Sequence, residues 1–255
     1  MFSDTVFGPI HSRRLGTSLG VNLSPRDGKV CSFDCLYCEA GFNAQGPGTS
    51  GLPSRAETAR LLEAKLKAMH DAGEKLDVIT FSGNGEPTVN PDFPEIIDDT
   101  LALRDKYFPE VKVSVLTNST MMHSDRVVEA LRKVDNAILK LDSAIEDTMR
   151  MLDRPVSASF TVEKVIPQLA RFGHQGIIQT MITRGSHDGV PVDNSTDTEI
   201  EALIEAYRII KPREIMLYSL DRPTPETHLN KVPREELQAI ARRITDATGI
   251  PVMVA

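Results

Sequence analysis

Short β-rich runs alternate with amphipathic helical runs along most of this chain, and no other feature limits its fold as tightly. Strands are expected at 18–23, 76–81, 111–117, 137–141, 176–183 and 214–220. Several are nearly continuous apolar stretches, the pattern of strands covered on both faces. Helices are expected at 55–72, 93–107, 125–133, 161–172, 200–210 and 234–247. The first sets Leu62, Leu66 and Met69 on one face, with a Ser54/Glu57 capping box ahead of it and Gly73 as a stop. Thr196 and Glu199 repeat the capping signature before 200–210, and Pro212 closes that helix. Such alternation builds βαβ units around a parallel sheet, which right-handed crossovers curl into a doubly wound sheet or a full or partial barrel. In each of these, ligands gather at the carboxyl ends of the strands. Function is therefore sought in the residues just after the strands.

All three cysteines of the chain fall in one stretch, Cys31-Ser-Phe-Asp-Cys35-Leu-Tyr-Cys38. Dispersed pairs would suggest disulfides, whereas clustered thiols suggest a metal site. The C-x3-C-x2-C spacing suits a loop that wraps three sulfurs around a small inorganic core. Thiolates serve both iron–sulfur clusters and zinc. Structural zinc takes four protein ligands, and His11 is a candidate fourth, so a zinc-stabilised α/β binding protein is one reading. The other is a [4Fe-4S] cluster, in which three cysteines leave one iron open to a further ligand. A second unusual stretch, Phe81-Ser-Gly-Asn-Gly-Glu-Pro87, ends the next expected strand. Its small residues permit close backbone approach, and the Glu86 carboxylate suits an ammonium group.

The cysteine spacing, the aromatic Tyr37 before the last cysteine, and the Asn84-Gly85-Glu86-Pro87 turn together resemble the radical SAM superfamily. Asn84 stands where that family's Gly-Gly-Glu-Pro motif has its first glycine. The resemblance covers nearly the whole chain and implies a single α/β domain over 1–255, a partial (β/α)6-type barrel of the radical SAM kind. It implies that Cys31, Cys35 and Cys38 bind a [4Fe-4S] cluster and that S-adenosylmethionine (SAM) occupies the open iron. Tyr37, Gly83, Asn84, Gly85 and Glu86 would then hold the cofactor, with Glu86 on the methionyl ammonium. Thr117 and Asn118 after one strand, and Lys140 and Asp142 after the next, would meet the SAM carboxylate and ribose. Gln179, a polar residue within an apolar strand, is expected to face the barrel lumen. The opening His11–Asn22, the SGNGEP stretch and Arg154-Pro155 are similar to a bacterial branch related to the wyosine-base synthases that modify tRNA. Those enzymes carry a second iron–sulfur cluster, for which this chain has no cysteines left.

The chemistry so implied is reductive cleavage of SAM to a 5′-deoxyadenosyl radical, which takes a hydrogen atom from a substrate. A flavodoxin or ferredoxin is the expected electron donor, because no flavin motif is evident. The net charge of −7 disfavours a phosphate backbone, so a small molecule or peptide is the expected substrate and tRNA the alternative. No apolar run reaches the roughly 18 residues of a membrane span. No secretory signal is evident at the start, and a cytoplasmic location is expected. Arg13, Arg14, Arg154, Arg184 and Arg222 are candidate clamps for substrate carboxylate or phosphate. No histidine has a spacing that marks it as catalytic. The Gly-rich 41–50 and the segment 185–194 read as exposed connections or a substrate lid. The tetrapeptide Leu-Asp-Arg-Pro occurs twice, at 152–155 and 220–223, a repeat short enough to arise by chance.

Overall fold

The computed structural model describes residues 1–12 and 16–255. Arg13 and Arg14 lie outside the described residues. The chain divides into two compact units, and the elements alternate as expected of an α/β fold.

The first unit comprises Met1–Cys31, Asn43–Thr117 and Met121–Ala137. Its elements are β1 (Val6–Ser12), β2 (Gly16–Val21), α1 (Arg55–Asp71), β3 (Val78–Phe81), α2 (Phe93–Tyr107), β4 (Lys112–Thr117) and α3 (Asp125–Lys133). The strands lie side by side in chain order; β1 is antiparallel to β2, and the other pairs are parallel. β1 was not expected, because Gly8 and Pro9 interrupt its pattern. It occupies an edge position, where proline is tolerated. α1 starts at Ser54, whose hydroxyl accepts from the Glu57 amide at 3.2 Å. It stops at Gly73 (φ 67°), where Glu74 N donates to Met69 O and Gly73 N to His70 O, a Schellman ending. Leu62, Leu66 and Met69 are buried.

The second unit comprises Ser32–Phe42, Asn118–Thr120 and Ile138–Ala255. It holds most of β5 (Asn136–Lys140), then α4 (Glu146–Asp153), α5 (Val162–Ala170), β6 (Gly176–Met181), β7 (Thr183–His187), β8 (Val190–Asp193), α6 (Asp197–Ile210), β9 (Glu214–Tyr218), β10 (Leu229–Lys231), α7 (Arg234–Thr248) and β11 (Val252–Val254). β5, β6, β9 and β11 are neighbours in that order, and β9 runs parallel to both β6 and β11. β10, β7 and β8 form a separate antiparallel sheet. Every residue of β6 is buried, the behaviour expected of a strand covered on both faces.

Three sequence expectations need correcting here. The segment 185–194 is a β-hairpin, turning on Asp188 and Gly189 at φ 49° and 78°. Consecutive positive φ values mark the type I′ geometry, for which Asp-Gly is a strong signal. α6 begins at Asp197, directly after its Thr196 cap, three residues earlier than its apolar pattern suggests. α4 was not expected, because Ile145 at its N-terminus is not a capping residue type.

Candidate functional site

In the first unit, the turn after β3 is held from below by asparagines. Asn22 Oδ1 accepts from Asn84 N at 3.0 Å and from Ser24 N at 3.1 Å. A Cβ on Gly83 would lie 2.2 Å from Asn22 Oδ1, and one on Gly85 would lie 1.9 Å from the Val30 carbonyl oxygen. The glycines are thus required by the chain's own close packing. Gly85 bridges Val30, and Glu86 N donates to Val30 O at 3.1 Å, fixing the backbone that leads into Cys31. Glu86 is buried, and its Oε1 accepts from Thr88 N at 3.1 Å and from the Thr117 hydroxyl at 2.6 Å. Thr117, at the end of β4, therefore meets Glu86.

Asn84 has a different task for its side chain. Its Oδ1 accepts from Phe2 N at 2.7 Å, and its Nδ2 donates to Phe2 O at 2.8 Å and Pro25 O at 3.0 Å. The residue is fully buried, and these bonds occupy its side chain. Where the family motif has glycine, this chain has a strap that fastens Phe2 and Pro25 to the turn. The loop read as a flexible 41–50 is likewise pinned. Asp27 accepts from the amides and hydroxyls of both Thr49 and Ser50, bonds that hold its carboxyl far below the usual carboxylate range.

In the second unit, the cysteine loop Ser32–Phe42 carries Cys35 and Cys38. Asn118, after β4, accepts from Thr120 N at 3.1 Å and donates to the Ser32 hydroxyl at 2.9 Å. Tyr37, Lys140 and Asp142 come together. The Tyr37 hydroxyl and the Lys140 ammonium both donate to Asp142 Oδ2, and the ammonium lies 4.4 Å from the centre of the Tyr37 ring. Asp142 Oδ1 accepts from Met181 N at 2.8 Å. Asp153, at the end of α4, lies 3.0 Å from Lys140 and completes the group; no sequence signal marked it. Burial alone would lower the Lys140 pKa, but Asp142 and Asp153 override it and hold the ammonium well above the ordinary lysine value. Burial also pushes Asp153 well above the carboxylate range, against the pull of Lys140 and with the help of Asp142. One ammonium thus serves two buried carboxyl groups. Gln179 is buried in β6 opposite Met216 of β9, and its carbonyl accepts from Leu141 N.

The three cysteines are half-buried, and none is in a disulfide. Among the described residues, no group of three or more His, Cys, Asp or Glu side chains is arranged to hold a single metal ion. A cubane cluster makes no such demand, since each thiolate meets its own iron. Three cysteines within eight residues of sequence are a donor set that such a cluster takes, so the residues present fit the group.

Residues 27–206 match the family model of the radical SAM superfamily, and the chain belongs to that superfamily. It is a radical SAM enzyme, with a [4Fe-4S] cluster and SAM as its cofactors, which sets aside the zinc-scaffold reading. A UPF0026 protein of Synechocystis sp. is 30% identical over 98% of this chain and 96% of its own length. A UPF0026 protein of Methanocaldococcus jannaschii is 29% identical over 91% of this chain and 68% of its own length. Among solved structures, a radical SAM methyltransferase from Sphaerobacter thermophilus superposes with a TM-score of 0.67 at 19% identity, covering 93% of this chain and 65% of that one. TYW1 with a lysine-pyruvate adduct bound superposes with a TM-score of 0.63 at 17% identity, covering 91% of this chain and 75% of that one. These likenesses establish the fold as the α/β fold of the radical SAM kind. Among the described residues, no helix is long and apolar enough to cross a membrane.

Proposed function

We propose that residues 1–255 work as one radical SAM domain in which Cys31, Cys35 and Cys38 hold the cluster. The observation that carries this reading is the backbone coupling of the Gly85-Glu86 turn to Val30, directly before Cys31. It ties the expected methionyl-binding turn to the first cysteine. A cluster held by Cys31, Cys35 and Cys38 would supply the electron for reductive cleavage of SAM, the chemistry that lets radical SAM enzymes take a hydrogen atom from substrate. Glu86, oriented by Thr88 and Thr117, presents its buried carboxylate to the methionyl ammonium. Tyr37, fixed by Asp142 and Lys140, gives the cysteine loop a rigid aromatic wall that excludes water. Thr117, Asn118 and Gln179 offer hydrogen bonds to the remaining polar groups of SAM.

The electron comes from a flavodoxin or ferredoxin, and a reducing cytoplasm suits three cysteines that form no disulfide. A small molecule or a peptide is the favoured substrate. The net charge of −7 weighs against tRNA. Asp142 and Asp153 hold the Lys140 ammonium well above the ordinary lysine value, which makes that amine a poor nucleophile. The test is anaerobic reconstitution with iron and sulfide, addition of dithionite and SAM, and mass spectrometry for 5′-deoxyadenosine. The wild type is expected to form it and Cys35→Ala to form none. A wild type that takes up no iron, or equal product from Cys35→Ala, overturns the reading.

A further inference from the structure

Both copies of Leu-Asp-Arg-Pro lie against the cysteine loop. Along the first copy, Leu36 N donates to Leu152 O at 3.0 Å, and Asp34 N donates to Asp153 O and Arg154 O at 3.1 Å. Phe33 bridges Pro155 in antiparallel fashion. The Arg154 guanidinium lies 3.4 Å from the Asp34 carboxylate and 5.2 Å from the centre of the Phe42 ring. Beside the second copy, Arg222 meets Glu39 at 2.6 Å, and three residues past Pro223 the Glu226 amide donates to Leu36 O at 3.3 Å. Leu36 therefore gives its N–H to one copy and its C=O to the segment following the other. Leu152 and Leu220 share one apolar cluster with Leu36. Even the aspartates match, Asp153 pairing with Lys140 at 3.0 Å and Asp221 with Lys231 at 2.9 Å. In each copy the leucine enters the core, the aspartate holds a lysine, and the arginine meets an acid next to a cysteine. Asp34 precedes Cys35, and Glu39 follows Cys38.

We propose that the two tetrapeptides form a matched clamp on the Cys35–Cys38 segment, with Arg154 and Arg222 as its positioning residues. The inference rests on the reading that this loop holds the cluster. A thiolate-ligated cluster is anionic, and the flanking Asp34 and Glu39 add further negative charge. The two arginines offset that charge while fixing the shape of the loop. The two arms are unequal. The Asp34 side chain is only 17% exposed, whereas Arg222 and Glu39 are 63% and 58% exposed. Salt therefore screens the second arm far more than the first.

The test uses Arg154→Gln and Arg222→Gln, each alone and combined with Asp34→Asn or Glu39→Gln respectively. Two measurements are made on reconstituted enzyme without SAM, namely the cluster midpoint potential and the rate at which a chelator extracts iron. Amide exchange at Asp34 and Leu36 is followed in the cluster-free protein. Arg154→Gln is expected to shift the potential to more negative values, to speed iron loss several-fold at any salt, and to speed amide exchange. Arg222→Gln is expected to shift the potential and iron loss at low salt only. Each effect is expected to disappear when the partner acid is also neutralised, and Arg154→Lys to recover part of the first. Wild-type values throughout for Arg154→Gln, or an undiminished effect in the Asp34→Asn background, overturn the clamp. If the wild type takes up no iron, the cofactor reading fails, while amide exchange in the cluster-free protein still decides the clamp.

Discussion

Replacing Asp142 by Ala tests whether the buried group around Lys140 is wired as described. The Tyr37 hydroxyl, the Lys140 ammonium and the Met181 amide all donate to this carboxylate. Breaking a buried ion pair usually costs about 3–5 kcal/mol, because a charge is left without a partner. Here Asp153 remains 3.0 Å from Lys140 and keeps the ammonium paired. What remains is mainly an orphaned buried Met181 amide, worth about 1–3 kcal/mol, and a lost hydroxyl partner. The single variant should therefore lose about 3 kcal/mol, or roughly 6–12 °C in Tm for a chain of this size. Asp142→Ala with Asp153→Ala removes both partners and should cost about 1–3 kcal/mol more than the sum of the single losses. The assay is thermal unfolding of the cluster-free, reduced protein followed by far-UV circular dichroism. The pH dependence adds a second check. A carboxyl raised on folding stabilises fully only below its unfolded value near 3.8, and that contribution is lost as pH rises. Asp142→Ala should flatten this decline. Strict additivity of the two substitutions would refute the shared-ammonium arrangement.

Two further outcomes follow from the geometry. Gly85→Ala puts a Cβ 1.9 Å from the Val30 carbonyl oxygen, a backbone atom that cannot swing aside. It should cost about 1–3 kcal/mol and weaken SAM binding, as read by unfolding and equilibrium dialysis. Glu226 accepts from His187 at 2.6 Å and from the His228 amide at 3.0 Å, bonds that bring its pKa down to about 2. Its stabilising contribution is thus present above pH 4.5 and lost as pH falls toward 2. Unfolding curves across that window should show a shallower acid limb for Glu226→Gln.

What the sequence disclosed and what it withheld divide along the range of the interactions. α2 and α3 have the expected bounds, because their apolar faces and stop signals lie within a few residues of one another. The cysteine loop and the Asn84-Gly85-Glu86 turn were legible for the same reason. The hairpin at 183–193 was also written locally, in Asp188-Gly189, and its signal was passed over for loop composition. Other features depend on partners far along the chain. The use of Asn84 rests on Phe2, 82 residues away, and no local pattern distinguishes such an asparagine from a tolerant turn residue.

The Leu-Asp-Arg-Pro repeat makes the same point from the other side. Four matching residues carry too little information to exclude coincidence. Their meaning lies in what each copy touches, and that is decided by α4 in one case and the segment after β9 in the other. Asp153 went unmarked because its role depends on Lys140 and Asp142, which lie ahead of the start of α4 while Asp153 ends it. Chemistry-bearing residues close in sequence thus declare a site, while the residues that hold its shape are found only once the chain has folded. A search for such supports in related chains should therefore ask which backbone groups of the cysteine loop are satisfied, and by what, before asking which residues recur.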